Sequence, residues 1–407
     1  MKNLLVVLFF LTFLQTSKTQ NQLPYGEINS SAQLLYQKEN KVFSSINLLT
    51  KYQNIYADTS WEKQFLKEDL ALYQSFVGEE KEALSLSPLD TFQTNLGKFK
   101  TENPIPFILQ QAENERMIML NEAHHVPSCR LFLMNLLAPL KKQDYGILAL
   151  EALAPLANDI NTQGFPTVKD AYYAKEQVMA WAIRYAISLG YKVLPYEIDD
   201  NKCVRANLTD DDCSFLRENE QARKLNDIAQ KYPNEKILVL AGYGHIVENI
   251  KEGKSKRVAQ ILKEKYAINP FTISQIEISM SQKSKLPFYS YALENETKEA
   301  IFSKKGVDLL IFHSEKAYLN IPFTFLKDFY PTQKQAIKIN QIDNDKTKGI
   351  LIQVYDIAEK EKLPNAVLPV IQKIVYKNGK YKIHLPKGKY EVILKNQDDI
   401  EVKRMLW

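Results

Sequence analysis

Met117-Ile118-Met119-Leu120-Asn121-Glu122-Ala123-His124-His125 passes from an unbroken apolar run straight into a carboxylate and two imidazoles. A short apolar run without alternation fits a strand buried on both faces, as strands of parallel sheets are. The polar tail falls where open parallel sheets bind ligands, beyond the carboxyl ends of their strands. Two of the chain's five histidines sit there side by side.

Similar runs recur at Gly146–Leu150, Tyr191–Pro195, Lys236–Ala241, Phe271–Ile278 and Val307–Phe312. Helical patterns separate them, at Cys129–Lys141, Val168–Leu189, Phe215–Lys231 and Lys256–Lys265. The alternation predicts an α/β fold over residues 104–330: a mostly parallel sheet with helices on both faces. Right-handed crossovers then bring every strand's carboxyl end to one edge.

The flanks differ. Residues 20–103 read as a helical cap, with Thr59 and Glu62 as a capping box and Gly78 as a stop. Trp61, Phe65, Leu72 and Phe76 fall on one helical face there, with Leu66, Leu70, Tyr73 and Val77 beside it, and the region is expected to pack without taking part in chemistry. Residues 331–407 carry short strand patterns, and Asn378-Gly379 signals a hairpin turn, so a small β-sandwich-like accessory domain is expected. Residues 1–19 have a positive start, an apolar stretch and a small-residue end, which is the pattern of a signal peptide. Export to the periplasm or the exterior is therefore expected, with no membrane span after cleavage. An oxidising compartment favours a Cys203–Cys213 disulfide and leaves Cys129 over.

Composition narrows the function. The formal charge of +5 comes from scattered lysines, with no arginine-rich block or basic-aromatic stripe, so nucleic-acid partners are not expected. Every arginine but Arg404 lies between Arg116 and Arg257, so the central region uses guanidinium geometry specifically. No Gly-x-Ser-x-Gly elbow and no phosphate loop occur.

The residues just past each predicted strand are chemically consistent. The first strand ends in Glu122, His124 and His125, the second in Glu151, the third in Tyr196, Glu197, Asp199 and Asp200, the fourth in Gly242-Tyr243-Gly244-His245, and the last in His313-Ser314-Glu315. Two readings stay open. A histidine oriented by Glu122 or Glu151 acts as a general base on water, or Glu122, His124 and His245 hold a divalent transition metal that activates it. Arg130, Arg184 and Arg217 are candidates to hold an anionic group or an oxyanion, with Tyr196, Glu197 and Tyr243 completing a substrate-binding set.

The pairing of Asn121-Glu122-Ala123-His124-His125 with the later Gly242-Tyr243-Gly244-His245 resembles the erythromycin-esterase/ChaN-like/TIKI group. That group shares an α/β core, an early Gly-Glu-x-His or Gly-Glu-x-x-His motif and a later Gly-x-x-His. The resemblance covers about Arg116 to Phe312, with Asn121 where the group carries glycine. Glu122 with His124 has the spacing of one branch, and Glu122 with His125 that of the esterase branch. Glu151 and His245 match the second acidic position and the later histidine, and Arg130 and Arg217 lie where such proteins carry helix arginines. The resemblance implies a hydrolase cleaving an ester or amide of a small-molecule or peptide substrate. Its other branches imply a metal-dependent peptidase or a haem-binding protein.

Overall fold

The computed structural model describes residues 23–92, 99–155, 160–199, 203, 208–251, 255–279, 284–293, 306–314, 321–340, 342 and 349–407. The segment expected to be a signal peptide, Asp200 and Glu315 lie outside them. Six parallel strands form the central sheet: β1 (Met117–Glu122), β2 (Tyr145–Leu150), β3 (Lys192–Pro195), β4 (Lys236–Gly242), β5 (Phe271–Ser274) and β6 (Leu309–Leu310). Their spatial order is β6-β5-β1-β4-β2-β3. The fold is α/β, as the alternation of strand and helix patterns predicts.

The pleat of β1 divides two cores. Ile118 and Leu120 pack with Leu133 and Leu137 of α6 (Pro127–Lys141) and Ile183 of α7 (Gln177–Ser188). Met117 and Met119 pack with Leu225 of α8 (Asp210–Lys231) and with Val258 and Leu262 of α9 (Val258–Tyr266). The helices after β1 and β2 thus cover one face, and those after β3 and β4 cover the other. Because β4 lies between β1 and β2, the chain leaves adjacent strands in opposite directions there. This is a topological switch point, where a crevice opens beyond the strand ends.

The long helix expected at Val168–Leu189 is broken. A 3₁₀ turn, Tyr172–Lys175, precedes α7. The Glu176 carboxylate ends the turn and starts the helix by accepting from the Val178 and Met179 amides, at 2.7 and 2.9 Å.

The N-terminal helices are α1 (Tyr25–Gln37), α2 (Val42–Ile55), α3 (Trp61–Phe76) and α4 (Glu80–Leu86), and α5 (Ile105–Ala112) leads into β1. Ser60, not Thr59, caps α3 by accepting from the Lys63 amide. Leu66, Leu70, Tyr73, Phe76 and Val77 are buried, whereas Trp61 and Phe65 are exposed, so the predicted face is rotated. Gly78, at φ 71°, ends the segment as expected.

In the C-terminal region β7 (Thr332–Ile339) pairs with β10 (Gly379–Pro386). A separate sheet has the order β9-β8-β11-β12, from Ile371–Val375, Ile350–Asp356, Tyr390–Lys395 and Glu401–Leu406. Asn378-Gly379 makes no hairpin, because β9 and β10 belong to different sheets. The Asn378 side chain instead bonds both backbone groups of Ile342, at 3.0 and 2.7 Å. This region shares its core with the central domain, and the Trp181 indole of α7 donates to the Val370 carbonyl. Cys203 and Cys213 form the disulfide and Cys129 is a buried thiol. Among the described residues no helix is long and apolar enough to cross a membrane.

Candidate functional site

At the end of β1, Glu122 is engaged on both oxygens. Arg130 donates from Nε to Oε2 at 2.7 Å and from Nη2 to Oε1 at 2.8 Å. His124 Nδ1 lies 2.9 Å from Oε1. Arg130 reaches Glu176 with Nη1 at 3.2 Å and the His124 carbonyl with Nη2 at 2.9 Å. Burial works against the Glu122 carboxylate, but the Arg130 charge and the hydrogen bonds from His124 and Arg130 outweigh it and hold it at about 2. For Glu176 burial prevails, and its carboxyl is raised. Glu122 is thus a fixed anion, and a fixed anion keeps the His124 proton on Nδ1 and leaves Nε2 as the free lone pair. Tyr173 stacks under the His124 ring at 4.2 Å between centroids, and Tyr243 meets its edge.

The second half of the site hangs on β2 and β4. Glu151 follows β2, and its Oε2 accepts from the Gly242 amide at the end of β4, at 2.6 Å. Gly242 is required by space. A Cβ there would lie 2.8 Å from both Cε1 and Nε2 of His124 and 3.3 Å from Glu151 Oε2. The accepting edge of His124 and the Glu151 carboxylate therefore converge over one glycine. Arg217, from α8, donates Nη2 to Glu151 at 2.6 Å and Nε to both oxygens of Glu197 at 3.1 Å. Its Nη2 also bonds Glu197. Burial opposes the Glu151 anion, but the charges of His245, His124 and Arg217 and the Gly242 bond lower its carboxyl.

His245 closes this side. Its Nδ1 lies 3.0 Å from Glu218 Oε2, and Nε2 lies 3.3 Å from Arg217 and 3.6 Å from Glu151. Burial favours the neutral ring, but Glu218 and Glu151 overcome it and raise the imidazole. Glu218 is held in turn by Arg257 at 2.7 Å and by the Val258 amide at 2.9 Å.

A cavity of about 530 Å³ opens beside these residues. Glu151, Glu197 and Arg217 form its floor and Tyr172 and Tyr173 a wall, while Asn29 and Asp69 descend from α1 and α3. The helical cap is therefore the roof of the site, contrary to the expectation that it only packs.

The other candidates divide between the crevice and the core. His125 turns away, with Nε2 bonded to the Ser87 carbonyl at 2.7 Å, and burial lowers it to about 4. Tyr243 is 41% exposed beside His124. Tyr196 is fully buried, its hydroxyl on the Leu240 carbonyl, so it offers nothing to a substrate. Arg184 lies outside the crevice, paired with Glu359 of the C-terminal region. Arg130 is fully buried and engaged by two carboxylates and a carbonyl, which removes it as an anion clamp. Arg217 reaches the cavity, but Glu151 and Glu197 already take its Nε and Nη2. His313 is buried against Gln275 and two phenylalanines.

The donor set does not fit a metal held by Glu122, His124 and His245. Arg130 occupies both Glu122 oxygens, and His245 Nε2 faces a guanidinium. Among the described residues no group of three or more His, Cys, Asp or Glu side chains is arranged to hold one.

Sequence reasoning missed Tyr173, Glu176, Glu218 and the roof pair Asn29 and Asp69. Glu218 had a signal. It precedes Ala222, Leu225 and Ala229 on the buried stripe of α8, and a carboxylate on an apolar stripe calls for a partner.

Fold and site together define an α/β protein with a His–Glu pair and a caged second carboxylate at a topological switch point. No family model and no curated protein matches the chain. Among solved structures it is similar to the type III effector HopBA1, at 13% identity over 56% of this chain and 99% of that one, with a TM-score of 0.33. It is also similar to RRSP, a MARTX toxin effector domain from Vibrio vulnificus CMCP6, at 14% identity over 69% and 59%, with a TM-score of 0.31. A structure described as bacterial protein toxins matches at 11% identity over 67% of each chain, with a TM-score of 0.28.

Proposed function

We propose that the protein is an exported hydrolase that cleaves an ester or amide with water activated by His124. One observation carries this reading. His124 Nδ1 is tied to the Glu122 anion, while its opposite edge lies over Gly242 beside Glu151, which lines the cavity. Water bound to Nε2 gives up a proton as its oxygen attacks the substrate carbonyl. The imidazolium that forms lies between two carboxylates, and both stabilise it. Collapse of the tetrahedral adduct breaks the ester or amide bond, and the leaving oxygen or nitrogen takes the proton from His124. Arg217 and the Gly242 amide orient Glu151 beside the ring.

Resemblance to the erythromycin-esterase/ChaN-like/TIKI group supports the hydrolytic reading. The pair used is Glu-x-His, not the Glu-x-x-His of the esterase branch, so that branch's substrates do not carry over.

His124 is part-exposed, so His124→Gln removes the base without opening a core. The variant, with circular dichroism matching the parent, is expected to lose at least about a hundredfold in kcat/KM on p-nitrophenyl acetate. Unchanged turnover in a folded variant overturns the assignment.

A further inference from the structure

Asp69 projects from α3 into the cavity roof, and among the described residues it is the one roof group with a formal charge. Its Oδ2 accepts from Tyr25 Oη at 2.9 Å and from Asn29 Nδ2 at 2.8 Å. Gln33 fixes Asn29 in turn, donating to its Oδ1 at 2.7 Å. Three side chains of α1, two of them directly, thus hold this carboxylate of α3 still. Among the described residues no lysine or arginine pairs with it. Burial raises its carboxyl to about 6, against the bonds from Tyr25 and Asn29. A carboxylate fixed by neutral donors in a cavity gains most from a cation brought by a ligand.

The floor does not supply that cation. Arg217 is shared between Glu151 and Glu197, so the trio keeps a negative balance. The remaining cation among the described lining residues is Lys169, on the Val168–Lys169 rim. An anionic substrate would meet acids on both floor and roof.

We propose that the substrate is a cationic ester or amide, bearing an ammonium or guanidinium group that Asp69 holds against the roof. This rests on the hydrolase reading for the scissile bond, with the roof choosing which carbonyl compound enters. It makes Asp69 a specificity residue, and it gives the N-terminal helices a role in recognition.

The test compares arginine ethyl ester with the neutral norleucine ethyl ester, α-amine acetylated in both. The full chain should prefer the arginine ester by roughly tenfold in kcat/KM, as one partly screened ion pair gives. In Asp69→Asn, which keeps the acceptor for Tyr25 and Asn29, the ratio should fall to about one. Added salt should shrink the preference in the parent chain, a readout that needs no variant. Equal turnover of the two esters by the parent chain overturns the proposal, as does a preference for an acetylated glutamate ester. Calorimetric titration of His124→Gln with the arginine ester separates the two claims. Charge-selective binding without turnover in the parent chain sinks the hydrolase and keeps the roof assignment. Turnover without charge selectivity does the reverse.

Discussion

Two arginines each bridge two carboxylates at the carboxyl edge of the sheet, and they do opposite things. Arg130 is fully buried between Glu122 and Glu176. Arg217 is 35% exposed between Glu151 and Glu197, at the cavity floor. In the first cluster every charge faces protein, so it can only hold a geometry. In the second, solvent and ligand reach the guanidinium, so its hydrogen bonds can rearrange during turnover. One arginine is a scaffold for His124, and the other is part of the cavity.

Removing the two should separate stability from activity. Arg130→Met leaves two buried carboxylates without their cation, and breaking a buried pair from one side costs about 3–5 kcal/mol. Its thermal midpoint should fall steeply, with activity lost alongside the fold. Arg217→Met breaks a bridge whose guanidinium is 35% exposed, and solvent there softens the loss of the cation, so it should cost less than Arg130→Met. The midpoint should fall less while ester turnover collapses, because Glu151 loses its clamp. Equal midpoint losses would erase the distinction between scaffold and cavity.

A third cation tests whether burial alone makes a charge useful. Lys175, in the 3₁₀ turn, is 2% exposed, and its Nζ has no hydrogen-bond partner among the described residues. It sits 3.6 Å from the centre of the Tyr172 ring, an attraction too weak to replace water. Burial lowers it from 10.5 to about 7. Above 10.5 both folded and unfolded forms are neutral and there is no penalty. As pH falls towards 7 the unfolded chain gains a proton that the folded chain refuses, so stability drops. Below about 7 the penalty is constant. Lys175→Met should therefore stabilise the protein by about 1–3 kcal/mol at pH 7, with the gain shrinking as pH rises towards 10. A destabilised variant would show that Lys175 has a partner role like that of Arg130.

The fold was legible because most strands of the central sheet are buried on both faces. Continuous apolar runs such as Ile237–Ala241 cannot hide among helices, and the residues just past them mark one edge. Glu151 and His245 were legible for the same reason. Partners arriving from elsewhere were not. Tyr173 reaches His124 only because Glu176 breaks a pattern that reads as one continuous helix, and no local spacing encodes that break. Asn378-Gly379 shows the converse error. Its turn signal is real, but Asn378 bonds Ile342 and the chain changes sheets. Asp69 lies some 50 residues before β1, in a region whose apolar pattern speaks only of packing.

His124 and His125 repeat the contrast of the two arginines within two adjacent residues. His125 is buried and neutral, with Nε2–H donated to the Ser87 carbonyl just beyond α4. Its Nδ1 lies 3.5 Å from the Tyr243 hydroxyl, so it also steadies the exposed ring beside His124. His125→Asn should cost about 1 kcal/mol for the lost bond, a modest fall in thermal midpoint. Turnover of p-nitrophenyl acetate should persist, because the Glu122–His124 pair is untouched. The opposite pattern, a folded His125→Asn that is inactive beside an active His124→Gln, would make Glu-x-x-His the working spacing. The sealed side of the motif would then be the reactive one, and the comparison would invert.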